Sequence, residues 1–557
     1  MHPLLILSLL VVAITATITI VNNINAKRSR LADLKAAFGK PPIEDGTFQL
    51  DSVSRYDMYI QDANPSLQRV DSITWNDLDM DKVFMRINAC QTSVGEEYLY
   101  HTLHQLPLNG DAINQREDII QFFADKPDVR LSVQALLSNR LGKENYNGLT
   151  ALMFAPSQNL LKHRHIYTAL AMLPVLMGLV AFFSLPIGFI GVVASFIVNM
   201  IVHYRTKHHI AIELPSIKYL TSLIRCCKVL LKIKEMDGLP IMNEIGKLYR
   251  NLKSIRRNMP TMTSMAGDLA DSFLEYFNIM FLTDIRNYNK FMRIIRQRNQ
   301  EFHALYRALG EIDLSIAVLS FRLSLPVSCK PQFIGGAMSR VKRPITFEDI
   351  FHPLIPEPVT NSGEIVKDSL LTGSNASGKS TFIKALAING ILAQTINTCG
   401  AKSFKTRFSL IMTSMVVRDD LTAGESYFIV EIKSLRRILE TVEKFPCTCY
   451  IDEILRGTNT IERIAASAAV LKYLHKQDVL CIAASHDIEL TYILAGQYDN
   501  YHFREQVTDG GITFDYKLND GPSTTRNAIK LLGFMDFPAE IVAQAESLAD
   551  EALTRKE

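Results

Sequence analysis

The sequence predicts an α + α/β protein, in which an N-terminal membrane helix and a helical arm broken by a second membrane element precede a parallel-sheet α/β domain. Three observations predict it. Residues 3–21 and 166–202 carry no charge at all. Apolar residues recur at helical spacing over residues 81–143 and again over 210–324. From about residue 344 short apolar runs alternate with helical segments, which is the texture of an α/β domain.

The whole-chain numbers agree with that outline. A chain of 557 residues is long enough for several domains. Hydrophobic residues make up 48% and charged residues 21%, a balance that points to membrane segments. The net charge of +3 makes no general case for a polyanion-binding protein, although a local basic face remains open. None of the eight cysteines forms a CxxC pair or a His/Cys cluster of zinc spacing, and Cys226-Cys227 and Cys447-Thr448-Cys449 are too close for a disulfide framework. Reduced cysteines in a cytosolic compartment are the expectation.

Residues 3–21 are long enough to span a bilayer, which takes about 17–25 residues. A cleaved signal peptide would begin with basic residues and end at a small-x-small site. Here the start is Met1-His2-Pro3, and Lys27, Arg28 and Arg30 follow the apolar run. Residues 1–25 therefore read as an uncleaved anchor, with a linker over 26–80. The stretch 166–202 is too long for one span, and Ser184-Leu185-Pro186 with Gly188 breaks it near the middle. It reads as a transmembrane helical hairpin over 161–207, with a re-entrant hairpin or a buried helix pair as the alternative. Basic residues flank these segments, with Lys162 and Arg164 before the hairpin and Arg205 and Lys207 after it. The positive-inside rule places all these flanks in the cytoplasm of a multi-pass protein of the inner or plasma membrane. The helical arm occupies 81–160 and 208–335. Its basic residues Arg286, Lys290, Arg293, Arg296 and Arg298 form either a solvated helix face or a phosphate-contacting one.

The α/β domain, residues 336–557, carries the chemistry. Ser369-Leu370-Leu371-Thr372 reads as a short buried strand and runs into Gly373-Ser374-Asn375-Ala376-Ser377-Gly378-Lys379-Ser380, with Thr381 opening a helix. This is G-x4-G-K-S between a strand and a helix, the P-loop of an ABC-like α/β domain. Its backbone N–H groups and the helix N-terminus can converge on the phosphates of ATP. Lys379 is then the β/γ-phosphate cation and Ser380 a Mg²⁺ ligand. Downstream, Cys449-Tyr450-Ile451 leads into Asp452-Glu453, an apolar strand ending in two carboxylates. Asp452 is expected to hold the metal and Glu453 to polarise the attacking water. A further apolar run, residues 479–485, ends at His486. Ligands of open α/β sheets collect at that edge, so His486 is the candidate to sense the γ-phosphate or orient water.

Several stretches together resemble the MutS family of DNA mismatch-repair ATPases. Asp452-Glu453-Ile454-Leu455-Arg456-Gly457-Thr458-Asn459-Thr460 is similar to the family's DEIGRGTST, with Leu455 in place of a glycine. Residues 419–431, from Asp419-Asp420-Leu421 through Gly424-Glu425-Ser426 to Glu431, resemble its signature loop DDLxxGxSTFMxE. Phe351-His352-Pro353 resembles the opening of its ATPase domain, and Tyr516-Lys517-Leu518 with Gly521, then Gly533 to Pro538, its end. Outside that domain, Thr92-Ser93-Val94-Gly95 with Leu99, Pro107-Leu108 and Arg116 resembles the start of the family's lever, and Glu311-Ile312-Asp313 its return helix. The resemblance implies that Ser426 reaches the γ-phosphate bound to a partner subunit, so that the site is completed in a homodimer. The LSGGQ sequence of ABC transporters is absent ahead of Asp452.

The pattern departs from the family at the N-terminus. Only about 50 residues separate the first apolar stretch from the lever match, and no Phe-x-Glu mismatch reader lies there. Two functions follow. One is a membrane-tethered ATPase that still binds DNA or mismatches near the membrane. The other is an ATPase whose closure drives a protein partner or a membrane assembly, with no DNA role.

Overall fold

The computed structural model describes residues 3–42, 50–143, 148–154, 164–210, 213–257, 268–335, 344–374, 377–415, 427–456, 458–508, 511–523 and 537–554. Its first half is helical: α1 (Pro3–Ala37), α2 (Leu50–Val53), α3 (Arg55–Ala63), α4 (Ser72–Asp77), α5 (Met80–Ile87), α6 (Ser93–His104), α7 (Asp111–Asp125), α8 (Pro127–Arg140), α9 (Leu149–Phe154), α10 (Arg164–Val180), α11 (Leu185–Ile210), α12 (Glu213–Leu230), α13 (Pro240–Arg257), α14 (Asp268–Phe281), α15 (Thr283–Gln297) and α16 (Asn299–Ser324).

The arm is built around α16. Its 26 residues span about 39 Å at 1.5 Å each, and its side chains are buried along most of its length. Helix α6 lies against it because two glycines remove the obstruction. A Cβ on Gly95 would fall 2.3 Å from Asp313 Oδ2, and one on Gly310 would fall 2.7 Å from Tyr98 Cβ. Asp313 then accepts hydrogen bonds from the Gln91 and Thr92 amides and, at 2.7 Å, from the Thr92 hydroxyl, while Thr92 Oγ1 caps α6 by accepting from Gly95 N. The two sequence stretches that resemble the family's lever, more than 200 residues apart, thus meet in one buried knot. Helices α12 and α13 complete the arm against α8 and α16.

The expected linker over 26–80 is instead mostly helical and belongs to the arm. Helix α1 runs unbroken to Ala37, and its later part lies on α8, where Arg30 Nη1 donates to Asn139 Oδ1 at 2.8 Å and the Arg130 guanidinium sits 3.3 Å from the Phe38 ring centre. Asp71 caps α4 by accepting from Thr74 N. Short helices with few apolar residues escape a periodicity reading, which needs a window of three turns or more.

Helices α10 and α11 pack side by side through Gly188 and Gly191, where a Cβ would fall 2.3 Å from Ala181 Cα and 2.5 Å from Met177 Sδ. Their connection exposes Phe182 (87%) and Phe183 (93%). On the inner face Asn199 is fully buried and donates to the carbonyls of Leu170 (3.1 Å) and Met280 (2.7 Å), which ties in α14. Among the described residues Leu185–Thr206 is the stretch long and apolar enough to cross a membrane, and its neighbour His165–Val180 is shorter.

The second half holds β1 (Gln332–Phe333), β2 (Ile345–Ile350), β3 (Asn361–Ile365), β4 (Ser369–Thr372), α17 (Lys379–Ile396), β5 (Ser403–Thr406), β6 (Leu410–Ser414), α18 (Tyr427–Val442), β7 (Cys447–Asp452), α19 (Thr460–His475), β8 (Val479–Ala484), α20 (Glu489–Ile493), β9 (Asp499–His502), β10 (Glu505–Thr508), β11 (Gly511–Phe514), β12 (Asn519–Asp520) and α21 (Ala539–Thr554). A six-stranded sheet has the order β12-β9-β4-β8-β7-β6, parallel from β9 to β6, with β12 antiparallel at the edge. Strands β4, β6, β7 and β8 are buried throughout, hence their continuous apolar runs. A smaller sheet has the order β1-β5-β2-β3, and β10 and β11 pair by themselves.

The arm grips this domain at the far end of α17. Arg116 donates to the Thr395 carbonyl and holds Glu311 at 2.6 Å. Arg322 donates to the Asn397 carbonyl at 2.9 Å and pairs with Glu117 at 2.6 Å. These carbonyls are among those a helix C-terminus leaves without intrahelical partners, and the cations also suit the helix dipole. On the other side of the domain Asp77 accepts from the Thr413 hydroxyl (2.6 Å) and the Met415 amide (3.1 Å) beyond β6. Replacing Arg116 by Ala strands Glu311 and the Thr395 carbonyl in a buried place, and is expected to cost about 3–5 kcal/mol. Denaturant unfolding of the purified protein reads this directly, and a loss under about 1 kcal/mol would contradict the clasp.

Candidate functional site

The site lies at the carboxyl ends of β4, β7 and β8. Register fixes this: Leu371 of β4 and Asp452 of β7 both pair with Ala484 of β8. The Ser485 amide donates to the Leu371 carbonyl and the Glu453 amide to that of Ala484, both at 3.0 Å, so the three strand ends stay level.

After β4 the chain turns through Gly373, whose φ of 139° favours glycine and whose Cβ would lie 2.5 Å from the Phe503 carbonyl oxygen. Gly378 (φ 104°) starts α17 against Tyr516, with 3.0 Å between its would-be Cβ and the ring. The Ser374 hydroxyl donates to Glu505 Oε2 at 2.6 Å. Lys379 Nζ donates to the carbonyls of Gly373 and Ser374, 2.7 Å each. Burial pulls its pKa down to about 8 against the opposing pull of Asp452, Glu453 and Glu505. Ser377 Oγ is buried with no hydrogen-bond partner among the described residues. Ser380 and Thr381 sit exposed on the first turn of α17. Asn375, Ala376 and Ser426 lie outside the described residues.

The two carboxylates of β7 differ. Asp452 is buried, which pushes its pKa up, and the Ser380 hydroxyl pulls the other way. Its Oδ1 has no hydrogen-bond partner among the described residues. A buried, partnerless carboxylate oxygen beside a hydroxyl suits a hard divalent cation such as Mg²⁺, which takes oxygen ligands. Glu453 is held below the usual carboxylate range, first by His486, whose Nε2 is 2.7 Å from Oε1, and then by Arg456, 3.0 Å from Oε2. The His486 turn is braced by Arg463, which grips Asp487 at 2.6 and 2.8 Å.

Glu453 and Leu455 both adopt left-handed φ, 57° and 56°. Position 455 is where the similar family motif has glycine, and a leucine there costs roughly 1–2 kcal/mol. Glu431 of α18 offsets this. Its Oε1 accepts from the Leu455 amide and, at 3.3 Å, from that of Arg456. No role for Glu431 followed from the sequence, although it closes the signature stretch. Glu505 and Asp487 carried no signal at all, because their partners are distant in sequence.

Two cavities flank α17. One of about 480 Å³ is lined by His352, Ile355, Val359, Gly378, Thr381 and Tyr516. Burial lowers the His352 pKa to about 4, so its ring is neutral near pH 7. The other, about 670 Å³, joins Ser380, Lys384 and Asp452 to Asp77 and Asp79 of the arm. Lys384 pairs with Asp79 at 3.0 Å.

Comparison with known proteins shows what this domain is similar to. Residues 369–553 match the family model described as MutS domain V. Over that third of the chain the sequence is similar to the MutS family. It is 26% identical over 327 residues to the DNA mismatch repair protein MutS of Thermus aquaticus, an alignment covering 57% of this chain and 39% of that protein. The MutS of Streptococcus pneumoniae (serotype 19F, strain G54) is 27% identical over 274 residues, 47% of this chain and 32% of its own. The DNA mismatch repair protein MutS 2 of Haloarcula marismortui is 30% identical over 190 residues, 33% of this chain and 20% of its own. The matched part of the chain thus spans about two fifths or less of these curated relatives.

The depressed Lys379 pKa has a definite sign. A lysine lowered from 10.5 to about 8 opposes folding at and below pH 8, and that penalty is relieved as pH climbs towards 10.5. Its ammonium is also the loop's cation. Tripolyphosphate affinity measured by calorimetry in EDTA is expected to hold up to about pH 8 and to fall above it, while Lys379→Arg stays flat. A wild-type profile with no decline to pH 10 would count against the assignment.

Proposed function

We propose that this chain is a MutS-type ATPase that binds Mg²⁺-ATP at the loop from Gly373 to Thr381, hydrolyses it, and passes the resulting movement to its helical arm. One observation carries the reading: Lys379, Ser380, Asp452, Glu453 and His486 come from distant parts of the chain and share one strand-end site.

In this reading the loop amides and the N-terminus of α17 receive the phosphates. Lys379 exchanges its two loop carbonyls for phosphate oxygens and keeps its charge beside Asp452 and Glu453. Ser380 and Asp452 hold the metal, which when bound neutralises phosphate charge. Glu453, anionic and aimed by His486 and Arg456, orients the attacking water and takes up its proton. The cavity beside His352 and Tyr516 offers flat, uncharged rings for an adenine base. Ser426 of a second copy completes the γ-phosphate site, so the active form is a homodimer.

The names of the relatives support a role in DNA mismatch repair. The second reading, an ATPase that drives a protein partner or a membrane assembly, is favoured by α10 and α11. Their large apolar side chains, from Ile166 to Ile201, are exposed around the pair. Such a belt is expected to sit in a bilayer as a helical hairpin, alongside the anchor of residues 1–25, with the ATPase on the cytoplasmic side.

Glu453→Gln is expected to keep nucleotide affinity and to lower turnover by about 10²–10⁴-fold, measured with a coupled ATPase assay alongside fluorescent-nucleotide titration. Unchanged turnover would remove Glu453 from the mechanism. For the mismatch-repair reading, duplex DNA with and without a mismatch is titrated into the detergent-solubilised protein at low salt. DNA stimulation of turnover and salt-dependent binding are expected, and indifference to both favours the second reading.

A further inference from the structure

Helix α15 has two unlike faces. Ile285, Tyr288, Phe291, Met292 and Ile295 are buried, whereas Arg286, Arg293 and Arg296 are exposed. Arg286 and Arg293 are seven residues apart and so lie on one stripe two turns long. Among the described residues neither Arg286 nor Arg293 is paired with a carboxylate. Their neighbour Arg298 is paired, with Glu301 at 3.2 Å.

A basic stripe alone would be an ordinary solvated face. Here its location matters. Helix α15 packs against α10, α11 and α14, the three helices that Asn199 ties together, and joins them to α16 of the arm. Exposed apolar side chains cover α10 and α11, and Tyr276 and Phe277 of α14 are exposed as well. The exposed Arg205 closes the apolar run of α11. A row of cations therefore adjoins a belt that needs hydrocarbon. In a bilayer that border is where lipid phosphates lie. Duplex DNA would satisfy the cations and leave the adjoining apolar belt in water, and the net charge of +3 supplies no wider field to draw DNA in.

We propose that the exposed face of α15, through Arg286, Arg293 and Arg296, binds the headgroups of anionic lipids and so fixes the depth at which the arm leaves the membrane. The proposal rests on the membrane reading of α10 and α11 given above.

The test is flotation of the full-length protein, diluted from neutral detergent, with vesicles of phosphatidylcholine alone or with phosphatidylglycerol added. Wild type is expected to float with both and to prefer the anionic vesicles by about tenfold to a hundredfold at low salt, a preference that fades with added salt. R286A/R293A/R296A is expected to float with phosphatidylcholine as wild type does and to lose most of the preference. R286K/R293K/R296K is expected to restore it, which separates charge from folding. Equal preference in wild type and the alanine variant overturns the lipid-headgroup proposal and leaves the membrane reading standing. Failure of wild type to float with phosphatidylcholine overturns the membrane reading and the proposal with it. If the alanine variant loses affinity for duplex DNA and keeps its lipid preference, the face serves DNA and the proposal is wrong.

Discussion

The clasp of Arg116 and Arg322 on the end of α17 is the constraint that joins the two halves of this chain. One end of that helix is the glycine-rich loop, and the other delivers its last carbonyls to two arginines of the arm. Each arginine is tied to its own carboxylate, Glu311 or Glu117, so neither can let go without stranding a buried charge. Helices are stiff along their axes. One rigid rod therefore connects the glycine-rich loop to α7 and α16. The second contact, from Asp77 and Asp79 to β6 and Lys384, holds the arm beside the site itself. The arm therefore bears on the domain at two points, one beside the strand-end site and one at the far end of α17.

The electrostatics of that site follow from burial. Three charged groups, Lys379, Asp452 and Glu453, share a region with little solvent. Lys379 and Asp452 pay for this with pKa values moved towards neutrality. Glu453 moves the other way because His486 and Arg456 flank it. The site thus sets a buried carboxylate beside an ion-paired one, although the two residues are adjacent in sequence.

Much of this was legible in the sequence. The G-x4-G-K-S loop, the Asp-Glu strand end and His486 depend on local patterns, and strand register brings them to one edge. The arm motifs at Thr92–Gly95 and Glu311–Asp313 were legible as fragments, and their meeting at Gly95 was not, because contact across 200 residues leaves no local trace. Residues 26–80 read as a linker because the helices after Ala37 are short, and the continuation of α1 past the apolar stretch carries no apolar period. Glu505, Asp487 and the Glu431 brace depend on tertiary neighbours alone. The leucine at position 455 looked like a simple departure from a motif. The structure shows it accepting the backbone geometry that glycine adopts freely, held there by Glu431.

The amide of Asn199 has a consequence for biosynthesis. One of its two acceptors, the Met280 carbonyl, lies 81 residues further along the chain. At about 5–20 residues per second, a ribosome delivers that carbonyl roughly 4–16 s after Asn199 itself. During that interval α10 and α11 can already close on each other through Gly188 and Gly191, leaving a polar group waiting in an apolar seam. The arrival of α14 is then a late assembly step, and a chain released before it would carry an unfinished seam that quality-control proteases or chaperones can recognise.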